Sequence, residues 1–256
     1  MELGLKDRVA MITGASRGLG RASALALAGE GCHISTIARG AEDLSRAEAE
    51  FKTRGVKAFV LQGDVSQPKE ADHFAEETLK EFGRVDILIN NIGGSKPGGN
   101  LEAEDDVWHL AFEINFFTAV RLTRRVLPEM QNSGFGRIIN IASIFGREWG
   151  GNATYISTKA AIIAFTKHTA RALKDDRVTV NSIAPGSILF EGGSWWRKQK
   201  DDPEGIADFV RREMPFGRFG RQEEIGAVVA FVASERGSLI NGACINVDGG
   251  QSRALF

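Results

Sequence analysis

Tyrosine is almost missing from this chain. Its 256 residues include sixteen phenylalanines and four tryptophans but a single tyrosine, Tyr155. Any chemistry that needs a phenol must therefore use that one position. Cysteine is nearly as scarce. Cys32 and Cys244 each sit alone inside an apolar run. That argues against a disulfide or a thiolate metal site, and both read as small core residues of a reducing, cytoplasmic compartment. His33, His73, His109 and His168 lack the spacing of metal ligands, so no metal is expected. No apolar run approaches the length of a bilayer span. The opening stretch, Met1 to Asp7, holds no long apolar segment of the kind a signal peptide carries. Positive charge is not in excess either. The balance of 32 Lys and Arg against 33 Asp and Glu leaves a formal charge of −1, which argues against nucleic acid as a partner. Repeats, low-complexity tracts and linkers are absent. With 43% hydrophobic residues, the chain reads as one domain over residues 1–256 with ample core.

What is present is a regular alternation. Short apolar, β-branched runs stand at Arg8–Thr13, Cys32–Ala38, Lys57–Gln62, Val85–Asn90, Arg137–Ala142, Val178–Ile183 and Leu239–Val247. Segments with helical periodicity separate them. Among these are Pro68–Phe82, Asp105 to about Met130, Thr154–Leu173 and Glu223–Ser234. Strands alternating with helices imply a parallel sheet covered on both faces. The expected fold is α/β, a single doubly wound domain of the dinucleotide-binding type.

The first strand runs into Gly14-Ala15-Ser16-Arg17-Gly18-Leu19-Gly20 and then an alanine-rich helix. A glycine-rich turn between strand and helix exposes backbone N–H groups at the positive end of the helix dipole, an arrangement that holds phosphate. The spacing is Gly-x-x-x-Gly-x-Gly, and a ligand-free turn is the alternative. The second strand ends in Ala38-Arg39, where dinucleotide folds often place an acid on the adenosine ribose. The missing acid, with Arg39 beside it and Arg17 in the turn, suits a 2′-phosphate. The alternative is a pair of solvated surface arginines.

Downstream, Ser143 ends an apolar strand and Tyr155 stands four residues before Lys159. Residues four apart share a helix face, so phenol and ammonium can address one site. A nearby cation would hold the phenol below its ordinary pKa and fit it for general acid–base work. Asn115 lies within the preceding helix.

Taken together, these residues resemble the short-chain dehydrogenase/reductase family over nearly the whole chain. Thr13-Gly14 through Gly18 and Gly20 match its cofactor turn. Asp64-Val65 matches its adenine contact, Asn90-Asn91-Ile92-Gly93 its central-strand motif, and Pro185-Gly186 its nicotinamide loop. Asn115, Ser143, Tyr155 and Lys159 match its catalytic tetrad in order and spacing. The resemblance implies a Rossmann-type domain with a seven-stranded sheet, NADP(H) as cofactor and a homotetramer packed through the helices of Asn115 and Tyr155. It implies that Ser143 holds the substrate oxygen, Tyr155 exchanges the proton, Lys159 tunes Tyr155 and binds ribose, and Asn115 holds a water through its carbonyl. Gly14, Ser16, Arg17, Gly18, Leu19, Gly20, Arg39, Asp64, Val65, Asn91, Ile92, Gly93, Tyr155, Lys159, Pro185, Gly186 and Ile188 are the implied cofactor contacts. Two positions depart from the pattern. Ile92 replaces a frequent alanine, and Phe190 stands where a threonine commonly bonds the cofactor.

The segment of about 187–214 reads as a lid over the substrate, with Ser143, Trp149, Phe190, Trp195 and Trp196 as candidate substrate contacts. Trp195 and Trp196 packing on the sheet edge or on another subunit is the alternative. Arg211, Arg212, Arg218 and Arg221 form either a docking patch for an acidic carrier or a solvated face. The expected activity is NADPH-dependent reduction of a bulky or cyclic ketone to a secondary alcohol, reversibly. The alternatives are a 3-oxoacyl-carrier-protein reductase and a non-catalytic dinucleotide sensor or scaffold.

Overall fold

A computed structural model describes residues 2–95, 98–174 and 177–255. The chain opens with strand β1 (Val9–Thr13), helix α1 (Gly18–Gly29), β2 (His33–Ala38), α2 (Ala41–Lys52), β3 (Ala58–Gln62), α3 (Pro68–Phe82) and β4 (Ile87–Asn90). Then come α4 (Asp105–Phe112), a π-helical turn (Glu113–Phe117), α5 (Thr118–Ser133), β5 (Gly136–Ile141), α6 (Ala153–Leu173) and β6 (Val178–Pro185). The last part holds β7 (Ile188–Leu189), α7 (Ser194–Asp201), α8 (Pro203–Glu213), β8 (Gly220–Arg221), α9 (Gln222–Ala233) and β9 (Cys244–Val247).

Seven strands pair in the order β3-β2-β1-β4-β5-β6-β9, all parallel. The period-two alternation of each strand decides which helices it meets. Ala10, Ile12, Ile34, Ile87, Ile89 and Ile139 pack with α1, α2 and α9 on one face. Met11, Ile37, Leu88, Ile138 and Val180 pack with α3, α5 and α6 on the other. Both faces are thus covered, which is why the central strands read as unbroken apolar runs. The chain order reverses between β1 and β4, and the carboxyl ends of those strands open a crevice there.

Three expectations need correcting. The final strand does not begin at Leu239, which is 97% exposed; the ladder starts at Cys244. Cys244 therefore lies half-buried on an edge strand, whereas Cys32 is a core residue whose thiol burial pushes up to about 12. The helix expected from Asp105 onward is interrupted by the π turn that contains Asn115. The lid segment, expected at about 187–214, lies between two short strands. β7 and β8 pair with each other in a separate two-stranded sheet and staple the base of the excursion that carries α7 and α8. That excursion has its own small core of Ile206, Met214 and Phe219, packed with Leu189, Trp195, Phe209 and Val210.

Candidate active site

The site lies at the carboxyl ends of β1, β4, β5 and β6. Asn91 and Thr13 hold the first two together. The Thr13 hydroxyl accepts from the backbone N–H groups of Asn91 (2.9 Å) and Ile92 (3.0 Å). The Asn91 amide donates to the carbonyls of Thr13 (2.8 Å) and Gly14 (3.3 Å). Asn91 thus fastens the end of β4 to the glycine turn by its own side chain. Ile92 lies under the turn, its Cδ1 2.6 Å from where a Gly14 Cβ would stand. Gly20 is obligatory: a Cβ there would fall 2.4 Å from the Gly14 carbonyl oxygen. The turn comes so close to the helix that a side chain would prise it open.

The amino terminus of α1 receives no side-chain cap and no acidic residue in its first turn. Its N–H groups are left for an external acceptor, so the turn fits a phosphate. Arg17 and Arg39 are exposed. Arg39 borders a pocket of about 460 Å³ with Leu61, Gln62, Gly63, Asp64, Glu70 and His73. Asp64 is positioned by its neighbours: Glu70 accepts from its backbone N–H, and its Oδ1 accepts from the Ser66 hydroxyl at 2.7 Å. Glu70 and His73 were not foreseen as lining residues. They stand on α3 three residues apart, on one helix face, and only the fold turns that face toward Arg39.

The reacting groups meet on the other side of the crevice. Ser143 directly follows β5, buried, and its hydroxyl accepts from the Phe145 N–H at 3.2 Å. Asn152 caps α6 by accepting from the N–H of Tyr155 at 3.1 Å. The cap that starts the helix therefore also fixes the backbone of the one tyrosine. The Ser143 hydroxyl neighbours the Tyr155 phenol, near enough to counter part of the effect of burial on it. Lys159, one turn on, is buried and donates from Nζ to the Ile141 carbonyl at 2.7 Å. Asn115 is buried in the π turn. Its Oδ1 accepts from Gly94 N–H at 2.8 Å, and its Nδ2 donates to the carbonyls of Ala111 (2.9 Å) and Gly94 (3.2 Å). A Gly93 Cβ would sit 2.7 Å from Asn115 Oδ1 and 3.0 Å from Lys159 Nζ, so Asn115, Gly93 and Lys159 converge at the end of β4. A π turn widens the helix by one residue and so changes the direction in which Asn115 is presented.

The electrostatics differ from the sequence expectation. Burial pushes the Tyr155 phenol above its ordinary value, and the neighbouring Ser143 hydroxyl opposes this to a smaller extent. Lys159 Nζ stands 5.7 Å from the centre of the Tyr155 ring and spends a hydrogen bond on Ile141. Burial pulls Lys159 itself from 10.5 to about 8. Desolvation thus outweighs the mutual help expected of the pair.

The Lys159 shift carries a stability prediction. Its folded pKa is depressed, so between about 8 and 10.5 the unfolded chain binds more protons than the folded one. Stability contributed by Lys159 must therefore rise with pH across that window, by roughly 3 kcal/mol at ~1.4 kcal/mol per pKa unit. Tyr155 acts oppositely above 10, where its raised value keeps the folded phenol protonated longest. Denaturant unfolding of the parent and of Lys159→Met, measured at both ends of the window, checks this. The stability difference between the two should change by that amount, and a pH-independent difference would contradict it.

The candidate substrate residues scatter. Trp149 is 92% exposed in the loop before Tyr155. Trp195 faces into the small core of the excursion, stacked on Phe209 with ring centres 4.6 Å apart. Trp196 lies under the Lys200 ammonium, 3.7 Å from its ring centre. Phe190 lies on the phosphate turn: a Cβ at Gly18, whose φ is +58°, would meet its ring at 2.7 Å. Phe190 therefore roofs the glycine turn. Ile188 is buried in β7, and Pro185 ends β6. The arginine cluster is offset by two carboxylates, half its charge. Arg218 and Arg221 bind Glu224, Arg218 holding its carboxyl down at about 2, and Arg211 pairs with Asp208. Among the described residues no group of three or more His, Cys, Asp or Glu could hold a metal ion, and no helix is long and apolar enough to cross a membrane.

Comparison with known proteins places this arrangement. Residues 14–252 match the family model described as enoyl-(acyl carrier protein) reductase. The 3-oxoacyl-(acyl-carrier-protein) reductase of Staphylococcus epidermidis is 35% identical over 246 residues, covering 95% of this chain and 98% of that protein. The L-sorbose reductase of Gluconobacter frateurii, solved with NADPH and L-sorbose, superposes with a TM-score of 0.93 at 34% identity over the whole of both chains. A short-chain dehydrogenase/reductase variant from Serratia marcescens superposes with a TM-score of 0.88 at 30% identity over 97% of this chain and 99% of that one. With the glycine turn, Ser143, Tyr155 and the buried Lys159 meeting in one crevice, and with likeness extending over nearly the full length, the chain belongs to the short-chain dehydrogenase/reductase family of oxidoreductases.

Proposed function

We propose that the protein is an NADPH-dependent reductase that converts a ketone to a secondary alcohol, reversibly. The observation that carries this reading is the meeting of Ser143, Tyr155 and the buried Lys159, one helical turn from Tyr155, at the carboxyl end of β5. NADP(H) supplies a hydride when bound. The chain does the rest. The α1 amino terminus and the glycine turn hold the phosphates. Arg17 and Arg39 pair with the 2′-phosphate, and Asp64 and Val65 border the adenine. Ser143 donates a hydrogen bond to the carbonyl oxygen, and Tyr155 delivers a proton from its phenolic oxygen to the developing alkoxide. A phenol whose pKa burial has raised is protonated at neutral pH and is ready as the acid of the reductive direction. Lys159 braces the site through the Ile141 carbonyl and Asn115 through the Gly94 backbone. The lid between β7 and β8 excludes water.

The L-sorbose reductase was solved with NADPH, which supports the cofactor assignment. Ala38 at the end of β2 and the exposed Arg39 beside it support it from within. The exposed Trp149 ring beside the Tyr155 helix favours a bulky or cyclic ketone. A 3-oxoacyl carrier substrate is the second reading, on the likeness to the Staphylococcus epidermidis reductase. Glu224, shared by Arg218 and Arg221, and Asp208, paired with Arg211, offset two of the four arginine charges an acidic carrier would use. The test is NADPH oxidation with a panel of small, cyclic and 3-oxoacyl ketones. Turnover of a ketone is the expected result. Tight NADPH binding with no turnover on any of them would favour the dinucleotide sensor.

The assembly we propose is a homotetramer built on the helices of Asn115 and Tyr155. Support comes from a ring cluster at the π turn, Phe112, Phe116, Phe117 and Phe165, with Phe117 43% exposed. Sedimentation at micromolar concentration should give about four times 27.8 kDa, and a mass near one chain would overturn the assignment.

A further inference from the structure

The C-terminal segment 248–254 touches both walls of the site. At one end Gln251 clasps Ser187, the residue from which the lid departs. Its Oε1 accepts from the Ser187 N–H at 2.7 Å and its Nε2 donates to the Ser187 hydroxyl at 2.9 Å. Contact there is tight: a Cβ on Gly186 would lie 2.7 Å from both Asp248 Cβ and Gln251 Oε1. At the other end the segment closes on Glu148. A single carboxylate oxygen, Oε2, accepts from the Ser252 hydroxyl (2.9 Å), Arg253 N–H (2.6 Å) and Ala254 N–H (2.9 Å). Glu148 belongs to the loop between Ser143 and Tyr155, in which a Gly151 Cβ would stand 3.6 Å from the Tyr155 ring. Between the two ends, Asp248 folds the segment by accepting from Gly250 N–H (3.0 Å) and Ser252 N–H (2.9 Å). The exposed pair of Arg253 with Glu213, at 2.9 Å, adds little by comparison. A charged oxygen collecting several donors is the strong form of hydrogen bond, and here all its donors lie on a tail that the central sheet does not need.

We propose that Glu148 and Gln251 are positioning residues that act through this segment, holding the loop beside Tyr155 and the root of the lid as one wall around the substrate. The inference rests on the ketone-reductase reading for what the wall encloses, but the coupling itself is a property of the folded chain. Neither residue touches the glycine turn at Gly14–Gly20, and Glu148 lies away from Gly186 and Ser187, which Gln251 borders, so Glu148→Ala is the variant in which cofactor binding should persist. Coupling through a shared element is reciprocal: releasing either end loosens the other.

The test uses Glu148→Ala, Glu148→Gln and Gln251→Ala in the full chain. In Glu148→Ala, KM for a ketone should rise about tenfold, the scale expected when a charged acceptor is removed. Saturated kcat and the Kd for NADPH should stay within about threefold. Glu148→Gln keeps an accepting oxygen and should restore most of the loss. The deciding readout is amide hydrogen exchange at Ser187, which Glu148 does not touch. It should quicken in Glu148→Ala. Conversely, exchange at Arg253 and Ala254 should quicken in Gln251→Ala, which serves if Glu148→Ala does not fold. Unchanged exchange at the far end of the segment overturns the proposal, whatever the activity. Absence of ketone turnover in the parent overturns the reaction assignment and leaves the exchange result to decide the segment.

Discussion

Replacing Tyr155 by phenylalanine is expected to lower turnover by about 10²–10⁴-fold, the usual worth of a positioned general acid, with NADPH binding retained. The ring keeps its place because the Asn152 cap acts on the backbone N–H of residue 155, not on the phenol. What disappears is the hydroxyl that neighbours Ser143. Circular dichroism and cofactor fluorescence establish folding and binding, and steady-state kinetics with the best ketone of the panel gives the rate. A folded, NADPH-binding Tyr155→Phe that turns over at near-parental rate would remove Tyr155 from the mechanism. Because the chain has no second tyrosine, an ultraviolet phenolate titration reports this residue alone. Its midpoint should lie above 10, since burial raises it and the Ser143 hydroxyl opposes this only to a smaller extent. A midpoint below 10 would mean that Lys159 leaves the Ile141 carbonyl in solution and turns toward the phenol.

Cofactor choice should reverse when Ala38→Asp is combined with Arg39→Ile. In the parent, Ala38 closes β2 with a short side chain, and Arg39 opens onto the pocket lined by Asp64 and His73. A charge-assisted hydrogen bond contributes about 1.5–3 kcal/mol. Both guanidinium groups are exposed, and solvent screens them. Even so discounted, two contacts give NADPH at least a tenfold advantage in kcat/KM over NADH, since ~1.4 kcal/mol is a factor of ten. The double variant removes one attraction and adds a carboxylate that repels the 2′-phosphate, and discrimination is strongest when both are changed together. The measurement is kcat/KM for both cofactors in parent and variant. A parent that already prefers NADH would return Arg17 and Arg39 to the solvated surface and defeat the assignment.

Much of this molecule was legible before any coordinates. A buried parallel strand must be apolar on both faces, so Val9–Thr13, Ile87–Asn90 and Gly136–Ile141 announced themselves as continuous runs. Glycine spacing after the first strand reflects a local steric demand, and Gly20 meets it within its own turn. Tyr155 and Lys159 share a face because four residues nearly complete a helical turn. All of these depend on neighbours close in sequence. The features that were misread or missed depend on partners far away. Leu239 looks like strand, but β6 offers it no partner; pairing starts at Cys244. Trp195 looks like a binding residue until Phe209 and Phe219 fold over it. Phe190 meets Gly18 across more than 170 positions. Lys159 was expected to lower the Tyr155 pKa, yet the Ile141 carbonyl claims its ammonium and burial moves both pKa values against ionisation. The sequence by itself determined the periodicities, the turn and the order of the reacting groups, because these follow from backbone geometry over a few residues. Only the tertiary structure decided desolvation, the roof over the phosphate turn and the hold of Gln251 and Glu148 on the two walls, because each is set by which distant surfaces exclude water from one another.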